Sequence, residues 1–170
     1  MMTLDQFLLQ AKEKIAIFNT FISTHQLENM IIADHIGYKC ASSEYFETIR
    51  RLLEAHADYV YQSVISERRI AVIKLTQPVI TECGTMRFLE LADQKPDGSQ
   101  QNGFDHLECY PTQNTVEEIV TYFADKEISV NKVVRPHHTT YDTSLADNFK
   151  LRLETEPLIN KIVREEINSL

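Results

Sequence analysis

The sequence predicts an α+β fold: two βαβββ modules forming a curved mixed sheet around a cup, with extra N-terminal and C-terminal helices. Three observations predict it. Apolar, β-prone segments and helix-periodic segments follow one another in the order strand, helix, strand, strand, strand, and this order occurs twice. The dipeptide opening the first module, Asp34-His35, returns as Asp105-His106 at an offset of 71 residues (106 − 35). Phe88-Leu89-Glu90, which closes the first module, is echoed by Arg152-Leu153-Glu154 at an offset of 64 (154 − 90), as a duplication with unequal loops requires.

The chain therefore divides into a helical extension (1–28), a first module (29–95), a second module (103–155) and a C-terminal helix (156–170) within a single domain. Thr3 and Gln6 have capping-box spacing. After them Leu4, Phe7, Leu8, Ala11, Ile15, Phe18 and Ile22 repeat at helical spacing toward His25, as one helix or two short ones. Met30 to Cys40 reads as a strand. Ser42 and Ser43 offer an N-cap to a helix carrying Phe46, Ile49, Leu52 and Leu53. Tyr59 to Ile65 and Ile70 to Thr76 form a hairpin across a polar turn, Pro78 and Gly84 bracket a break, and Met86 to Ala92 is the fourth strand.

The stretch from Asp93 to Gly103, with Pro96, Gly98 and Asn102, is the most loop-like in the chain and marks the seam between the halves. Phe104 to Tyr110 opens the second module as a strand. Asn114 and Thr115, with Glu117 and Glu118 after them, cap a helix; Ile128 to Val134, His138 to Thr143 and Phe149 to Glu154 are strands. Pro157 stands where a first helical residue belongs, ahead of Leu158, Ile159, Ile162, Val163 and Ile167.

Composition narrows the function. A 43% hydrophobic and 25% charged chain of 170 residues is that of an ordinary globular protein. Its net charge of −8 opposes nucleic acid and anionic membranes as partners, leaving a small-molecule substrate as the expected one. No run approaches the ~20 apolar residues of a membrane span, and the N-terminus lacks the basic region of a secretory signal. Three widely spaced cysteines, Cys40, Cys83 and Cys109, form no disulfide or zinc framework and fit a reducing, cytoplasmic setting. With four glycines the chain holds no phosphate loop, dinucleotide fingerprint or nucleophile elbow.

The chemistry gathers at the repeated motifs. Imidazoles and carboxylates together suit zinc, nickel, iron or manganese, and strand residues can aim several ligands at one point. One His and one Glu from each module, His35 and Glu90 with His106 and Glu154, are the expected ligands. Glu90 shares a strand face with Phe88 and Ala92, an unfavourable place for a carboxylate unless a cation is near; the alternative partner is Arg69. Lys150, Arg152 and Glu154 share a face that either lines the cup or meets solvent. Glu108, on the face of His106, is a supporting residue or a substitute ligand, whereas Asp34 and Asp105 are expected to point away. Of His137 and His138, one at most can enter the cup; a surface hairpin is the simpler reading.

The segments Asp34-His35-Ile36-Gly37-Tyr38, Phe88-Leu89-Glu90-Leu91 and Gly103-Phe104-Asp105-His106-Leu107-Glu108 resemble the YecM-like family. That family is similar to the vicinal oxygen chelate superfamily, which includes glyoxalases, epimerases, ring-cleaving dioxygenases and metal-free resistance proteins. The resemblance covers about residues 30 to 155. It implies ligands on the first and last strands of each module, in the order His35, Glu90, His106, Glu154 of glyoxalase-like isomerases and lyases. The leading expectation is such a metal-dependent enzyme, with Glu154 or Glu90 moving a proton. Arg152, then Arg69 and His138, would hold the substrate. The alternatives are a metal-free binding protein and an iron-dependent ring-cleaving dioxygenase. Both modules lie in one chain, so a monomer or a homodimer satisfies the reading.

Overall fold

The computed structural model describes residues 2–65, 67–135 and 138–168. The elements are α1 (Leu4–His25), β1 (Ile31–Lys39), α2 (Ser43–Glu54), β2 (Ala57–Ile65), β3 (Arg68–Thr81), β4 (Gly84–Ala92), β5 (Gly103–Pro111), α3 (Val116–Asp125), β6 (Asn131–Val134), β7 (Thr139–Ala146), β8 (Phe149–Leu153) and α4 (Leu158–Asn168). The eight strands form one mixed sheet in the order β2-β3-β4-β1-β5-β8-β7-β6. β1 and β5 meet antiparallel at its centre, and each runs parallel to the last strand of its own half, β4 or β8. The sheet thus reads outward from the centre in the same order on both sides.

The helix boundaries follow the caps. Thr3 and Gln6 make the capping box of α1, which is one continuous helix; Ser42 caps α2; Thr115 and Glu118 make the box of α3. Alternation along the strands then sorts the faces. Ile36, Tyr38, Leu89, Leu91, Leu107, Leu151 and Leu153 point to one side and join Phe7, Phe18, Phe46, Ile49, Ile119 and Phe123 of the first three helices in the core. Phe7 sits 4.9 Å from the Tyr38 ring and 5.1 Å from that of Phe104, which anchors α1 beneath the central strands.

Some boundaries differ from those expected. β3 runs on through Pro78 to Thr81, because the β3–β4 ladder shifts between Lys74 and Val79 and a proline there forfeits no ladder hydrogen bond. β8 stops at Leu153, leaving Glu154 beyond the strand, and β7 begins at Thr139, leaving His138 before it. Among the described residues no helix is long and apolar enough to cross a membrane.

Candidate metal centre

The face opposite the three helices carries the polar residues. Register places Val72, Glu90, Gly37, His106 and Lys150 in one row across it, and Lys74, Phe88, His35, Glu108, Arg152 and Asp142 in the next. The two central strands supply the imidazoles and β4 supplies the carboxylate. One ligand atom each from His35, Glu90 and His106 lies within 4.8 Å of the others. The two rings stand edge to face, 5.6 Å apart. The His35 Nε2 atom is 3.9 Å from both Glu90 and Glu108.

The donor set fits a divalent cation. His35 and His106 are 1% and 2% exposed, yet the Nε2 of each has no hydrogen-bond partner. Buried polar atoms are seldom left unpaired without a reason. The opposite ring nitrogens are fixed: the Nδ1–H of His35 donates to Asp34 at 2.8 Å and that of His106 to Asp105 at 3.1 Å. Each aspartate thereby fixes its ring with Nε2 turned into the cup, the arrangement that metal-binding histidines share; on His35 a bound ion would displace the Nε2 proton.

Asp34 and Asp105 were expected to face away, and each instead turns toward its own histidine. The β1–β5 ladder skips Asp34 between Ala33 and His35, and it skips Asp105 opposite the Gly37–Tyr38 step. Each is the extra residue of a β-bulge, so strict alternation fails there and two successive side chains serve one site. A second local device is Gly37. A Cβ at this position would fall 2.7 Å and 2.8 Å from the ring nitrogens of His106, so only a glycine lets that ring lie across β1.

Charge distinguishes the two imidazoles. Burial opposes charging of His35, but Glu108, Asp34 and Glu90 together outweigh it and raise its pKa to about 9. Burial and then Arg152 lower that of His106 against the pull of Asp105 and Glu90. Burial works against ionised Glu90, and the imidazoles of His106 and His35 more than compensate, holding its pKa below the usual value.

The other expected site residues divide between the cup face and positions away from the three clustered groups. Glu154 is buried at 3% exposure, but its carboxylate accepts from Lys161 and does not join the three clustered groups. The reason is register. Glu90 pairs with Gly37, two residues past His35, and the equivalent residue two past His106 on β5 is Glu108, which pairs with Arg152. The symmetric counterpart of Glu90 is therefore Arg152. It lies on the cup face and forks onto Asp142 through bonds of 2.9 Å and 3.1 Å. Arg69 faces the other way: on β3 it alternates with Ile70 and Val72, bonds Glu47 of α2 and Asp93, and stacks over the Phe46 ring. It neither reaches the cup nor pairs with Glu90. His138 is exposed just before β7, and His137 lies outside the described residues. Lys161 and Gly37 enter the site unanticipated, and Asp34 and Asp105 enter it against the expectation that they point away. The repeated Asp-His pair and the glycine two residues after the first of them were the available signals.

The sequence profile of the YecM protein family matches residues 3–161. No curated protein sequence matches significantly. Among solved structures, one titled "Structural Genomics, Protein EC4020" shares 18% identity at a TM-score of 0.69, with 98% of both chains covered. A Streptomyces coelicolor methylmalonyl-CoA epimerase variant with 2-nitronate-propionyl-CoA shares 16% identity at 0.50, covering 76% of this chain and 97% of its own. These likenesses concern the fold alone, which is glyoxalase-like. With its profile match spanning nearly the whole length, the chain belongs to the YecM protein family.

Proposed function

We propose that this chain is a metal-dependent enzyme of the isomerase or lyase kind, acting on a small oxygenated substrate. His35, His106 and Glu90 would hold a divalent ion (zinc, nickel, iron or manganese), with Glu108 beside them. The observation carrying this reading is the pair of buried, partnerless Nε2 atoms whose Nδ1 atoms are both tied to aspartates. When bound, such an ion polarises substrate oxygens and lowers the cost of negative charge on them. The chain's own groups supply the rest. Glu108 and Glu90 are the carboxylates beside the imidazoles, and we assign proton transfer to them rather than to Glu154, which Lys161 holds. Arg152, braced by Asp142, is positioned to hold an anionic substrate group.

Loading the purified protein with each ion and measuring retained metal by mass spectrometry tests this. One ion per chain, lost in His106→Ala, is expected. No retained ion after loading would instead point to a metal-free binding protein.

Taken without the neighbouring Glu108, His35, His106 and Glu90 are two imidazoles and one carboxylate, the set that non-haem iron oxygenases also use, and this favours iron-dependent oxygen chemistry as a second reading. Oxygen consumption by the ferrous-loaded protein with catechol-type compounds separates it from isomerisation.

A further inference from the structure

The helix α4 is the one described helix whose contacts lie on the cup face, and they run from the central strand β1 to the edge strand β2. At one end the Leu158 N–H donates to Asp34 Oδ2 at 3.0 Å, and Lys161 bonds Glu154. At the other, the Tyr59 and Tyr61 hydroxyls of β2 donate to Glu166 at 2.7 Å and Glu165 at 2.8 Å. Tyr61 pairs with Val72, which pairs with Glu90, so these tyrosines stand on the same face as the metal ligands. The dimensions agree. From β1 to β2 there are three strand spacings, about 14 Å, and the 11 residues of α4 make a rod about 16 Å long. A helix tied at both places has to pass over β4 and its Glu90, beside the His35 that Asp34 holds.

We propose that α4 is a hinged cover of the metal centre, whose undocking admits the ion and the substrate. This rests on the metal reading above and adds how the site is entered. Two observations support a cover rather than a permanent wall. Only Ile162 of its described residues is buried, whereas α1 buries five, so polar bonds replaceable by water hold α4 in place. Its first N–H also shares Asp34 Oδ2 with the His35 ring, so docking of the helix and orientation of a ligand meet at one oxygen atom. Lys161 belongs to the same arrangement: burial lowers its pKa, while Glu108, Asp34 and Glu90 pull it back up, placing its ammonium near the carboxylates of the site.

The test removes only the far-end hydroxyls, in the full chain carrying Tyr59→Phe and Tyr61→Phe together. Two rates are measured against the unaltered protein: extraction of bound Co2+ by excess chelator, and modification of His35 and His106 by diethyl pyrocarbonate in metal-free protein, read by peptide mass spectrometry. Both should rise about tenfold, since two docking bonds are lost. Unchanged rates overturn the cover. If the unaltered protein retains neither Co2+ nor any of the four ions named above, the metal reading fails, and the histidine modification alone decides the cover. Should the double variant not fold, Glu166→Gln weakens the same contact from the helix side, with the same expected direction.

Discussion

The two halves of the sheet share a backbone plan and differ in what they place on it. In each, an Asp-His pair sits at a bulge on the central strand, and that strand runs parallel to the last strand of its half. Two residues past the histidine the first half has Gly37 and the second has Glu108. Across the parallel pair the first half has Glu90 and the second has Arg152. One half would therefore offer a bound ion a carboxylate from its last strand, and it clears space for the opposite ring. The other half fills that space with a carboxylate and turns its last strand over to a cation. A duplicated scaffold need not duplicate its chemistry, since strand positions are inherited while each side chain answers to its own neighbours.

The sharpest way to break this contrast is to exchange what the halves contribute. Glu90→Gln should lower Co2+ affinity at least about 100-fold, in keeping with the loss of a direct ligand. Arg152→Met, at the symmetric position, should leave it within about threefold, because no ligand is removed. Competition titration against a chelator reads both, and equal losses would show the halves to be equivalent at the ion. Next in size is Gly37→Ala. The added methyl collides with the His106 ring, and displacing a ligand by a fraction of an ångström should cost about 10- to 100-fold in affinity while the fold survives. Glu108→Ala, at the matching place in the other half, should cost less.

The smallest effect concerns pH and sharpens the difference between the two imidazoles. The pKa of His35 is raised to about 9 from an ordinary 6.5, so its contribution to the stability of metal-free protein is complete below pH 6.5 and disappears as pH climbs through 9. That of His106 is lowered, so its contribution has the opposite sign: present above the ordinary value and lost as pH falls. The urea midpoint of metal-free protein should therefore decline between pH 7 and 9.5, and His35→Asn should flatten that decline. A midpoint rising over the same interval would contradict the assignment.

Much of this was legible in the residues. The caps at Thr3, Ser42 and Thr115 announce their helices, and alternation separates Leu89 and Leu91 from Glu90. The repeated Asp-His pair marks His35 and His106. What failed to show depends on register and bulges. Aligning Leu-Glu at 89–90 with Leu-Glu at 153–154 misses the counterpart of Glu90 by two residues, because pairing between strands decides which side chains are level. Parity along a strand predicts that adjacent residues diverge, and a bulge at Asp34 and at Asp105 cancels that rule. Arg69 drops out by the same parity applied correctly from Val72. The docking of α4 is tertiary, and no local pattern in Leu158 to Asn168 announces which face of the sheet it meets.

The antiparallel junction of β1 with β5 also has a mechanical meaning. His35 and Glu90 come from one side of that junction and His106 from the other, so a cation gripping all three would rivet the halves together. Neither half could then unravel in denaturant without surrendering the ion. The loaded protein should melt later and in one step, by a margin that grows with the concentration of free metal.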